Sequence, residues 1–90
     1  RGGPWLGVTS DPNADNAKIG KVRENSPAAK AGIKAGDIIT RFDGKDINSF
    51  QDLSRLVKQK KPGDEVEVAV LRADQTLKLK LKLEKYEGNN

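Results

Sequence analysis

The chain has 90 residues, 34% of them hydrophobic and 33% charged, and it contains no His, Cys or Met. That length holds one domain with one modest core, leaving roughly a third or more of the unfolded-chain surface wet. The absent His and Cys exclude the common zinc-ligand sets, disulfides, a Ser–His–Asp triad and a Cys–His pair, and a net charge of +4 is too mild to imply nucleic acid.

Arg1-Gly2-Gly3-Pro4 and Gly88-Asn89-Asn90 are rich in breakers, so flexible ends over 1–3 and 86–90 are expected around a single-domain core at about 4–85. With Arg1 first and no initiating Met, the segment fits a domain excised from a longer parent. Trp5 to Ser10 predicts a short strand. Asp11-Pro12-Asn13-Ala14-Asp15-Asn16 is dense in turn formers and predicts a surface loop. From Ala17 to Arg23 the chain alternates, with Ala17, Ile19 and Lys21 on one face, but Val22 breaks the pattern and leaves the inward set open.

Ser26 to Gly32 predicts a compact helix. Ser26 is suited to capping, Pro27 to the first helical position and Gly32 to the left-handed position past the end. Ile38 to Phe42 is β-rich, Asp43-Gly44 is a hairpin turn, and Lys45-Asp46-Ile47 returns as a brief strand. A second helix is expected from Ser49, its N-cap, to about Lys60, where Lys61-Pro62-Gly63-Asp64 stops it. Two strands finish the chain, Glu65 to Arg72 and Thr76 to about Lys85. The alternation from Leu77 to Leu83 gives the second an apolar and a cationic face. No repeat or internal linker interrupts this α+β pattern. No apolar run approaches the ~20 residues of a membrane helix, so neither direct membrane insertion nor a signal-peptide core is expected.

Trp5-Leu6-Gly7-Val8 alone is an ordinary glycine-bearing strand start. Followed in order and spacing by Ser26-Pro27-Ala28-Ala29, Ala31-Gly32-Ile33, Ala35-Gly36-Asp37-Ile38-Ile39 and Asp43-Gly44, it resembles the PDZ domains, most closely those of HtrA-like serine proteases and related bacterial envelope proteases. The resemblance runs from about Pro4 to Leu83, and the block from Ser26 to Gly44 is its specific part. It implies a PDZ-like α+β fold, a partly open β-barrel or sandwich of five to six strands with two helices. The strand order it implies is permuted, with the last strand filling the place usually taken by the first.

The resemblance implies a non-catalytic module that captures a C-terminal or extended peptide by β-strand addition. On the matching residues, Trp5, Leu6, Gly7 and Val8 form the carboxylate-binding loop, with the amides of Leu6, Gly7 and Val8 converging on the carboxylate. Val8, Thr9 and Ser10 pair with the peptide backbone, and selectivity comes from a groove between the Leu6–Ser10 strand and the Phe50–Lys60 helix. At about 100° per residue, Phe50, Ser54 and Val57 share one stripe of that helix, while Leu53 and Leu56 are expected to turn toward the core. Leu6, Val8 and Val57 then form the pocket for the last side chain. The family reads the side chain two before the end with the first groove-facing helix residue, where His prefers a hydroxyl. Phe50 stands there and implies an apolar preference, unless it only closes the core. The family often places a basic residue upstream of the loop, and Arg1 is the nearest candidate.

Other signals carry less. Asp11, Asn13 and Asp15 have calcium-loop spacing, but Asn16 and Val22 stand where that loop needs Gly and a bidentate Glu. Asp37 follows Gly36 at a strand start and is expected to bond nearby amides. Lys78, Lys80 and Lys82 form a basic stripe without interleaved aromatics, which reads as a solvated strand face. A Ser–Lys dyad from Ser26, Ser49 or Ser54 is weak because the first two read as caps. No metal and no cofactor are implied. The expected partners are C-terminal peptides with a hydrophobic last residue and the protease domain of the parent chain, in the bacterial envelope or periplasm. Two alternatives stay open: a scaffolding PDZ of a secretion or assembly protein, and the PDZ of a processing or site-2-type protease.

Overall fold

The computed structural model describes residues 3–86. Its elements in chain order are β1 (Pro4–Trp5), β2 (Val8–Ser10), β3 (Ile19–Val22), α1 (Pro27–Ala31), β4 (Ile38–Phe42), β5 (Lys45–Asp46), α2 (Phe50–Lys58), β6 (Glu65–Arg72), β7 (Gln75–Lys82) and β8 (Glu84–Lys85).

Both helices begin and end where their terminal residues dictate. Ser26 Oγ accepts from Ala29 N at 3.1 Å, and Gly32 at φ 95° closes α1, its own amide and that of Ile33 bonding the Ala29 and Ala28 carbonyls. Ser49 Oγ likewise accepts from Asp52 N at 3.2 Å. Helix α2 stops at Lys58, two residues short of the expected end. There the Gln59 and Lys60 amides turn back to the Leu56 and Val57 carbonyls, a tighter i→i−3 closure.

The main sheet has the order β5-β4-β6-β7, all antiparallel. The β6–β7 ladder sets Val66, Val68 and Val70 opposite Leu81, Leu79 and Leu77, and Glu65, Glu67 and Ala69 opposite Lys82, Lys80 and Lys78. Successive side chains of a strand point to opposite faces, so the first set faces the core and the cross-strand acid–lysine pairs face water. Phe42, Ile39, Ile19, Leu53 and Leu83 complete the core.

Two expected strands are each split. Trp5 to Ser10 breaks at Leu6-Gly7 into β1 and β2, and Thr76 to Lys85 breaks at Leu83 into β7 and β8. The physical reason is an exchange of partners. Leu83 leaves β6 to bond Asp64 O and Gly63 N, after which β8 pairs with β1, Trp5 opposite Glu84. The described residues therefore hold eight strand segments in three sheets, with no closed barrel, and the last strand lies beside the chain's first. The Tyr86 amide donates to the Gly3 carbonyl at 2.9 Å across this pair. Val22 is half-buried and Lys21 exposed because the β2–β3 register shifts between Thr9 and Ser10, while Ala17 and Ile19 are buried.

Asp37 fastens the α1–β4 turn. Its carboxylate accepts from Lys34 N at 2.9 Å, as the sequence led one to expect of a nearby amide. It also takes a two-pronged contact from Arg72, Nε at 2.8 Å and Nη2 at 2.7 Å, which the sequence did not indicate. Arg72 Nη2 donates to Gly32 O as well, so one guanidinium ties β6 to the end of α1.

Candidate functional site

Among the described residues strand β2 pairs only with β3, so its other edge is free. Arg23 N donates to Gly7 O at 2.8 Å, which makes Val8–Val22 a non-hydrogen-bonded pair. Both the N–H and the C=O of Val8 consequently face the free edge. One residue earlier, Leu6 O accepts from Ala28 N at 3.0 Å. In a trans peptide the following N–H points the opposite way, so the Gly7 amide turns out from α1. Among the described residues neither the Leu6 nor the Gly7 amide has a hydrogen-bond acceptor.

Gly7 is required twice over. Its φ is 91°, and a Cβ there would overlap the Ser26 side chain, meeting Oγ at 2.6 Å. Ser26 is fully buried, its hydroxyl donating to Arg23 O at 2.7 Å while accepting from Ala29 N, so this serine is committed to structure.

Between β2 and α2 lies a groove of about 190 Å³ lined by Trp5, Leu6, Gly7 and Val8 on one side and Phe50, Ser54 and Val57 on the other. These are the loop, pocket and groove residues singled out in the sequence, and the fold brings them together. Thr9 and Ser10 continue β2 as exposed residues. Leu6 and Val57 are buried at the groove's floor, and Phe50 is half-buried against the core, so it both closes the core and lines the groove.

Leu53 turns into the core as expected, at 1% exposure. It also lines the groove, because at about 100° per residue it lies only about 40° from Val57 on the wheel. Leu56 does turn away, but it stays half-buried beside Phe42 and Lys60. Lys58 was missed as a lining residue although the same wheel places it about 40° beyond Ser54. Past the loop the groove opens into a second basin of about 490 Å³, bounded by Trp5, Tyr86, Arg23 and Lys58 with Gly7 and Val8 at its inner edge. The Trp5 and Tyr86 rings stand 5.5 Å apart at 50°. Arg23 carried no sequence signal, since its place depends on the β2–β3 pairing. Arg1 lies outside the described residues.

The weaker candidates resolve into local structure. Asp11 Oδ1 accepts from Asn13 N at 2.9 Å, an ordinary turn contact, and no group of three or more metal-ligating side chains occurs among the described residues. No helix among them is long and apolar enough to cross a membrane.

The described residues thus leave one strand edge open beside an apolar helix groove, with the Leu6 and Gly7 amides free at one end. Residues 4–83 match the PDZ domain model, and the chain belongs to that family. Its relatives include HtrA-type serine proteases and also the putative zinc metalloprotease Atu1380 of Agrobacterium fabrum, 44% identical over 61 residues, covering 68% of this chain and 16% of that protein. It is 38% identical over 81 residues to the serine protease Do-like HtrB of Bacillus subtilis, covering 89% of this chain and 18% of that protein. It is 40% identical over 68 residues to the periplasmic pH-dependent serine endoprotease DegQ of Escherichia coli, covering 76% of this chain and 15% of that one. The chain thus spans under a fifth of the length of each of these relatives. The HtrA-type protease AlgW with a decapeptide superposes with a TM-score of 0.84 at 22% identity, over 97% of this chain and 30% of that one, a likeness of fold.

Proposed function

We propose that residues 1–90 are a single non-catalytic domain that binds the C-terminal end of an extended peptide as an added strand between β2 and α2. The observation that carries this reading is the outward-facing N–H and C=O of Val8 on an unpaired strand edge beside the groove. A peptide strand there bonds Val8 and continues along Thr9 and Ser10. Its carboxylate meets the amides of Leu6, Gly7 and Val8. Hydrogen bonds to a charged acceptor contribute roughly 1.5–3 kcal/mol each in favourable sites, and successive amides around a positive-φ glycine form an anion-binding concavity.

The last side chain, apolar on this reading, enters between Leu6, Val8 and Val57, while Phe50 and Ser54 meet the side chain two residues earlier. A groove this small orders only a few peptide residues, so micromolar affinity, about −8 kcal/mol, is the expected range. In its parent the domain recognises substrate or regulates an HtrA-like serine protease domain of the bacterial envelope. The relatives support this reading, several of them being named as periplasmic endoproteases.

Calorimetric titration with a peptide ending in Val, as free acid and as C-terminal amide, tests the reading. The acid is expected to bind at least tenfold more tightly. Equal affinities would remove the carboxylate from Leu6, Gly7 and Val8.

A further inference from the structure

We propose that Lys58 of α2 and Arg23, just past β3, form a cation pair that attracts and orients the ligand's terminal carboxylate from the two sides of the loop. This deepens the peptide-binding reading and rests on it. Both side chains bound the basin into which the Gly7 end of the groove opens, and Lys58 lines the groove as well. No Asp or Glu lines either space among the described residues. Neither Arg23 nor Lys58 is ion-paired with a carboxylate among the described residues, so both charges are available to a ligand.

The need for positive charge follows from the helix. Lys58 is the last residue of α2, so the carboxylate end of the groove faces the helix's negative pole, where an anion is disfavoured. A lysine in that turn offsets the pole. Arg23 stands on the opposite side, its backbone tied to the loop by its amide on Gly7 O. The Trp5–Tyr86 pair also bounds the basin. Lys58 and Arg23 act as positioning residues, and the backbone amides remain the direct contacts.

The test measures fluorescence polarisation of a labelled peptide ending in Val-Val, as free acid and as amide, across a salt series. Lys58→Gln and Arg23→Gln are each expected to weaken free-acid binding about two- to fivefold at low salt, the range of exposed ion pairs. Each should also lower the acid-over-amide ratio and flatten its salt dependence, and Lys58→Arg should retain the ratio. An unchanged ratio in both Gln variants, or equal loss for acid and amide, overturns the cation pair and leaves the binding reading standing. A parent domain that does not distinguish acid from amide overturns the reading itself.

Discussion

Gly7 and Ser26 meet so closely that no side chain fits between them: a Cβ on Gly7 would overlap Ser26, with Oγ at 2.6 Å. The serine cannot retreat, because it is fully buried and its hydroxyl caps α1 while bonding Arg23 O. The loop that presents free amides is thus locked to the start of α1, and the two are expected to fail together.

Gly7→Ala combines the left-handed backbone of an L residue, about 1–2 kcal/mol, with an overpacked contact, about 1–3 kcal/mol. The expected loss is about 2–5 kcal/mol in urea unfolding, with peptide binding weakened beyond what the folded fraction explains. An unchanged unfolding midpoint would contradict the overlap.

Asp37 supplies a pH dependence with a definite sign. The Arg72 guanidinium bonded to it, opposed by burial and helped by the Lys34 amide, holds its carboxyl below the ordinary value of 3.8. A carboxyl whose pKa is lowered on folding stabilises the fold fully above its unfolded value, and that contribution is lost as pH falls through the folded one. Stability should therefore decline below about pH 4–5. Asp37→Asn should cost roughly 1.5–3 kcal/mol at neutral pH and should remove part of the acid decline. Parallel stability curves for the two proteins between pH 2 and 5 would show that Asp37 contributes nothing to it.

Ala73, between β6 and β7, has φ 54°, a conformation that costs an L residue energy and glycine almost none. Ala73→Gly relieves that strain but adds unfolded-chain entropy. The net expectation is a gain of about 0.5–1 kcal/mol, seen as a higher denaturation midpoint at unchanged slope. A lower midpoint would count against it.

Much of this was legible before the fold was known, and the reasons are local. Ser26, Pro27 and Gly32 wrote the limits of α1, and the Leu77–Leu83 alternation wrote the inward face of β7 because both signals are short-range. The splits at Leu6-Gly7 and at Leu83 were hidden, since each is an exchange of partners distant in sequence. Arg72 was invisible beside Asp37 for the same reason, the two being 35 positions apart. The groove stripe on α2 was readable from the wheel, whereas its neighbours Arg23 and Tyr86 arrive from β3 and the β1–β8 pair.

Phe50 carries the remaining question of selectivity, because it lines the groove and packs on the core at once. A ring there offers an apolar surface to the ligand side chain two before the end and gives a hydroxyl no partner, so Leu at that peptide position should be preferred over Thr. Phe50→His supplies a ring nitrogen able to bond a hydroxyl and should move the Thr-over-Leu ratio toward Thr by about three- to tenfold, one good hydrogen bond's worth. The unfolding midpoint should fall as well, since part of the lost phenyl surface was buried. The two readouts separate the roles. A lower midpoint with an unchanged Thr-over-Leu ratio would confine Phe50 to the core, and Ser54 would then be the residue of α2 left to read that position.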